Sequence, residues 1–192
     1  MIRRGFLGLT AAFALLAMPV AAQDAENVMV IDIEGAANGT VEIELLPDLA
    51  PQHVERIKTL TRAGAYDNVA FHRVIDGFMA QTGDVEFGTK DAVGQGRAGT
   101  GGSDMPDVEA EFSSEPFVRG TLGMARAQDP NSANSQFFIM FAEGSFLNGQ
   151  YTVFGRVISG MEVVDQIQRG QGQSGSVPSP DFMTSVRIKA DG

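Results

Sequence analysis

Two early apolar runs, "VMVIDIE" and "GTVEIEL", are the first strand candidates, and apolar and polar positions alternate in the second. In the second, Val41, Ile43 and Leu45 take one side and Glu42 and Glu44 the other. That period of two predicts half-buried strands. The intervening "GAANG" predicts a hairpin with Asn38-Gly39 as its tight turn. The period then changes. In "PDLAPQHVERIKTLTRAG", Ala50, Val54, Ile57 and Thr61 recur at helical spacing, with Asp48 placed to cap, Pro51 in the first turn and Gly64 at the end. Strand-like runs return at "VAFHRVI", "GFMAQTG", "GTLGMAR", "QFFIMF", "YTVFGRVI" and "MTSVRIKA", and "GMEVVDQIQRG" predicts a second, short helix. Many strands with two helices predict a barrel or sandwich closed at its ends by the helices. Residues 84–120 are rich in glycine and acid and lack periodicity, which at that length predicts a functional loop.

The first 22 residues follow a different pattern. Arg3 and Arg4 precede an apolar run that ends in small residues before Gln23. This is the layout of a signal peptide, with cleavage expected between Ala22 and Gln23 and one domain over residues 23–192. A membrane anchor would need a longer unbroken run than Pro19 and the small residues leave. "RRGFL" resembles a twin-arginine export signal, but ordinary export signals also carry paired arginines, so the route stays open. Because the leader looks bacterial, the sequon Asn38-Gly39-Thr40 reads as a turn rather than a glycosylation site.

Composition narrows the function. A chain of 192 residues, 43% hydrophobic, can bury one sizeable core. Loss of Arg3 and Arg4 with the leader takes the formal net charge from −10 to −12. Such a charge argues against nucleic acid and anionic membrane as partners. There are no cysteines and only His53 and His72, which excludes disulfides, thiolate chemistry and multi-histidine metal sites. "GQGRAG" at Gly94–Gly99 and "GQGQSG" at Gly170–Gly175 match a dinucleotide-binding pattern, yet no apolar-periodic helix follows either. No "GxSxG" elbow supports a serine hydrolase.

Three segments carry a more specific signal: "FHRVIDGFMAQTGD", "GTLGMARAQDPNSANSQFFIMF" and "GSFLNGQYTVFGRV". The first places an arginine, a histidine and a glutamine inside an apolar run. Their order and the pattern R-x4-F-M-x-Q followed by S-Q-F-F-I resemble the cyclophilin family of peptidyl-prolyl isomerases, and the likeness runs from about Val28 to about Lys189. The resemblance implies a closed, eight-stranded antiparallel β-barrel capped by two α-helices, with the site on its outer face. Residue by residue, it implies Arg73 as the catalytic arginine and Gln81 as the glutamine that holds it. It implies a proline pocket of Phe78, Met79, Phe138 and Leu147, a peptide-pairing segment at Ala125 and Arg126, and groove-lining Gln136. Phe146 and Tyr151 stand where eukaryotic relatives have tryptophan and histidine, as in bacterial periplasmic members. The lost indole N–H donor makes weak cyclosporin binding the expectation. Arg126 stands where many relatives have asparagine. If that position works through its backbone, the change alters groove charge more than chemistry.

Taken singly, these residues have plainer readings: Arg73 as an ion-pair partner, the apolar ones as core, His72 as a hydrogen-bonded structural histidine, Tyr151 as packing at the groove edge. The joint order favours an isomerase for exported, folding proteins in the periplasm, acting on proline-containing flexible chains as a monomer. No metal or cofactor is needed for that reaction, nor stable membrane insertion once the leader is removed. The rivals are a holdase that grips proline segments without turnover and an assembly factor whose specificity lies in loop 84–120.

Overall fold

The computed structural model describes residues 24–192; the leader and its cleavage site lie outside them. Two strands, β1 (Val28–Glu34) and β2 (Asn38–Leu45), form the expected hairpin. Its turn is Gly35–Ala37 rather than Asn38-Gly39, because Asn38 already pairs with Glu34. The Ala37 N–H is taken by the buried Asp181 carboxylate at 2.9 Å, a distant partner that fixes the turn. Helix α1 covers Pro51–Arg62 and buries Val54, Ile57 and Thr61 as its spacing requires. Asp48 does not cap it. Ala50 holds that position without a side-chain bond, and the Glu111 carboxylate instead accepts the N–H groups of Gln52 and His53 at 3.2 and 3.1 Å. An acid there also suits the positive end of the helix.

The remaining strands are β3 (Val69–Ala70), β4 (Arg73–Ile75), β5 (Met79–Thr82), β6 (Thr121–Met124), β7 (Phe137–Met140), β8 (Val153–Ser159) and β9 (Phe182–Ile188). The second helix, α2, is a single turn at Met161–Val164. All strand pairs are antiparallel, in the order β3-β9-β1-β2-β8-β6-β7-β5-β4.

This corrects the expectation of a closed eight-stranded barrel: among the described residues the sheet has nine strands and curls without closing as a ladder. The physical reason is at the seam. The two edges, β3 and β4, are consecutive pieces of one extended segment and cannot lie side by side. The segment before β9 bridges the gap with single backbone bonds: Phe71 N–H to Asp181 O, Val177 N–H to His72 O and Val74 N–H to Gly175 O. Gly175 is required there. Its φ is +71°, and a Cβ would lie 2.5 Å from Ile75 Cγ1 and 3.0 Å from Val74 O.

The curl separates two apolar clusters. Inside lie Ile31, Ile43, Val74, Ala80, Leu122, Phe137, Ile139 and Phe154. On the outer face lie Met79, Phe117, Phe138, Met140, Leu147 and Val153. Strand alternation makes the division: along β7, Phe137 and Ile139 point in, Phe138 and Met140 out.

Candidate active site

The same alternation assembles the outer face. In the β4–β5 register Arg73 is opposite Gln81, and in β5–β7 Gln81 is opposite Phe138. An arginine in the middle of an apolar segment is thereby placed outward, while its neighbour Val74 enters the core.

Arg73 is held on two sides. Its Nε donates to Ser174 O at 2.9 Å and its Nη1 to Gln81 Oε1 at 3.0 Å. Among the described residues no carboxylate pairs with it, which removes the ion-pair reading. Gln81 passes the order on: its Nε2 donates to Gln136 Oε1 at 2.9 Å, and Gln136 Nε2 donates to Gly101 O at 2.9 Å. The chain of amides ties the cation to the glycine-rich loop.

Beside Arg73 opens a cavity of about 280 Å³, lined by Phe78, Met79, Phe138, Phe146, Leu147 and Tyr151 together with Arg73, Gln81, Ala125 and Arg126. Phe138 is 5% exposed and its ring is fixed by stacking on Phe117 at 5.7 Å and an edge contact with Tyr151 at 5.9 Å. Phe146, 63% exposed, leans on Phe78 at 5.4 Å and forms the rim. All ten lining residues are among the eleven expected from sequence; the eleventh, Gln136, lines a second, more polar cavity of about 490 Å³. Gln81, Ala125 and Arg126 belong to both, so the cavities form one groove.

The Arg126 side chain is fixed in the groove wall. Its guanidinium donates to Ala127 O, Gln128 O and Gln150 O and lies 4.5 Å over the Tyr151 ring, locking the groove wall. Ala125 pairs its N–H with Gln136 O. His72 departs from expectation: it is buried, but neither ring nitrogen has a hydrogen-bond partner among the described residues. Burial pushes its pKa below the ordinary value despite the nearby Asp84.

Sequence reasoning expected loop 84–120 to be functional but named none of Gly99–Ser103 or Asp107, which with Ser132 and Asn134 form the far wall of the polar cavity. Much of it is glycine backbone, which leaves no side-chain pattern to read. It also missed Ser174, whose contribution to Arg73 is a carbonyl.

Comparison with known proteins identifies the family. Residues 29–189 match the family model for cyclophilin type peptidyl-prolyl cis-trans isomerase/CLD. The chain belongs to the cyclophilin family. A "probable peptidyl-prolyl cis-trans isomerase" of Brucella suis is 59% identical over 172 residues, covering 88% of this chain and 86% of that one. The peptidyl-prolyl cis-trans isomerase CYP18-1 of Arabidopsis thaliana is 39% identical over 156 residues, 80% of this chain and 92% of its own. Among solved structures, a cyclophilin from Hirschia baltica superposes with a TM-score of 0.73 at 28% identity, covering 88% of this chain and 76% of that one. A Cryptosporidium parvum cyclophilin, crystallised in the presence of the dipeptide Ala-Pro, gives 0.71 at 27%, covering 84% and 98%.

Proposed function

We propose that this cyclophilin accelerates rotation about X-Pro bonds, with the proline ring in the apolar cavity and Arg73 as the group that stabilises the twisted amide. The observation that carries the reading is a guanidinium held at two nitrogens, with no carboxylate partner among the described residues, at the wall of a cavity of about 280 Å³ that Phe78, Met79, Phe138 and Leu147 also line. A dry cavity of about 150 Å³ suffices for benzene, so a five-membered ring and part of its backbone have room.

The chemistry follows from the amide. Resonance makes the prolyl bond a barrier of roughly 18–20 kcal/mol, and uncatalysed exchange takes tens of seconds. Rotation breaks the conjugation, and the nitrogen becomes pyramidal and regains its lone pair. A guanidinium N–H aimed at that lone pair makes a bond that the planar ground state offers poorly, which is selective stabilisation of the transition state. Arginine suits the task because it stays charged and its planar fork is oriented by its neighbours. Phe138, Met79 and Leu147 hold the ring and exclude water, which strengthens the electrostatic contact. Gln81 positions Arg73, and Ala125, Arg126 and Gln136 line the path of the client backbone. The proposed clients are exported chains still folding in the periplasm, on the strength of the Arg3-Arg4 leader.

The test is exchange of a proline-containing peptide followed by NMR, with the protein beside its Arg73→Ala variant. The reading expects acceleration by the first and at least a hundredfold loss in the second. Peptide binding without acceleration by either protein overturns it and leaves a binding groove.

A further inference from the structure

The groove does not stop at its polar cavity. Asp107, one wall of that cavity, is also a wall of a third, of about 410 Å³. The third cavity lies between α1, through Pro51, Glu55 and Thr59, and the loop residues Met105, Asp107 and Val108. Its lining is mostly apolar, but it bears two carboxylates, Glu55 and Asp107, both exposed. Among the described residues neither is in an ion pair. Asp107 accepts a hydrogen bond from Asn134 Nδ2 at 3.0 Å, a neutral donor that leaves its charge in place.

Arg56 also lines the cavity. It is 7% exposed and gives Nη1 to Asn134 O and Nη2 to Pro106 O. It ties helix to loop and offsets one of the two negative charges without pairing with either. The whole chain, at a formal −10, adds a long-range pull on cations.

We propose that this third cavity is a further subsite for the same client chain and that it takes a lysine or arginine side chain. The inference rests on the peptide-binding reading of the groove. Two observations support it. The cavities adjoin one another, since Gln81, Ala125 and Arg126 line both the first and the second and Asp107 lines both the second and the third. The lining is also matched to a long basic side chain, whose aliphatic stem covers Met105 and Val108 while its head stays wet between Glu55 and Asp107. A neutral chain of equal length makes the apolar contact alone, and an acidic one meets two like charges. Charge selection at a distance from the proline would let the enzyme choose among clients that present the same X-Pro bond.

The probe is a short proline peptide extended on one side or the other, with a single lysine scanned from about three to about eight residues from the proline. That covers about 10–25 Å of extended chain. Each lysine peptide is paired with its norleucine analogue, and affinity is read by NMR titration. At the favoured position the lysine form is expected to bind about threefold to fivefold tighter, the range of an exposed ion pair. The advantage is expected to vanish in Glu55→Gln and at high salt, and amide shifts are expected at Gln52, Thr59 and Val108. The Glu55 side chain makes no hydrogen bond among the described residues, so its replacement leaves the helix intact. Equal binding of every lysine–norleucine pair overturns the proposal, as does a lysine advantage that Glu55→Gln leaves untouched. Exchange of the unextended peptide keeps the two readings apart. Acceleration without a lysine advantage overturns the subsite alone, whereas a lysine advantage without acceleration supports the subsite and overturns the isomerase mechanism.

Discussion

Replacing Arg73 by lysine keeps the charge and removes the fork. In the wild type, Nε and Nη1 reach Ser174 O and Gln81 Oε1 at 2.9 and 3.0 Å, so two contacts on different nitrogens set the guanidinium plane. A lysine ammonium is one point and cannot reproduce both directions. Hydrogen bonds to a charged group contribute about 1.5–3 kcal/mol each. Losing the orientation that one of them supplies lowers the rate at least about tenfold. The loss is expected in kcat with KM nearly unchanged, because the substitution does not touch Phe138, Met79 and Leu147, the cavity residues proposed to hold the ring. Stability is expected to fall by only about 1 kcal/mol, since one hydrogen bond on the outer face is lost and the main core is untouched. The assay is NMR exchange over a range of peptide concentrations, with a urea unfolding curve for each protein. A lysine variant that folds normally and keeps more than half the wild-type kcat refutes the orienting role of the fork. A variant that instead loses affinity at constant kcat refutes the assignment of Arg73 to the transition state.

Phe138→Ala is expected to cost about 3–5 kcal/mol of stability and to raise KM, because it empties the cavity floor and leaves Phe117 and Tyr151 without their ring partner; a urea midpoint and a peptide titration check both. Acid is expected to destabilise the fold in two stages. Burial holds His53 and His72 below their ordinary 6.5, so the unfolded chain binds protons first and stability falls as pH drops below about 6.5. Burial alone would raise Glu111, but hydrogen bonds from the His53 ring and from the His53 and Gln52 N–H groups outweigh it, so a second loss begins as pH falls below about 4.5. Urea midpoints at stepped pH measure this, and a flat profile between about pH 7 and pH 5 contradicts it.

Period-two reading found the strands but could not choose their faces. "QFFIMF" is buried on both sides of β7, so nothing in its alternation tells Phe138, on the groove, from Phe137, in the core. The order of the motifs chose, and the register then brought Arg73, Gln81 and Phe138 side by side. Interactions made by backbone at long range left no trace. Ser174 lies 101 residues from Arg73 and supplies only a carbonyl. The seam that keeps the sheet from closing as a ladder is made of peptide groups around Gly175. Asp48 looked like a cap because it is local, whereas Glu111 does that work from 58 residues beyond His53.

The loop 84–120 shows how a segment without periodicity can still be fixed. One buried carboxylate, Asp84, accepts four N–H groups: Glu86 and Phe87 at 3.1 and 2.8 Å, and Gly99 and Gly101 at 2.6 and 3.0 Å. Gly101 must be glycine, since a Cβ there would lie 2.5 Å from Asp84 Oδ1 and 2.8 Å from Phe87 Cδ2. The carbonyl of that same residue receives Gln136, which receives Gln81, which receives Arg73. A charge burial that is satisfied entirely by backbone thus sets the far end of the chain of amides that holds the guanidinium. Glycine and acid, which made the loop unreadable as secondary structure, are the two residue types this arrangement requires.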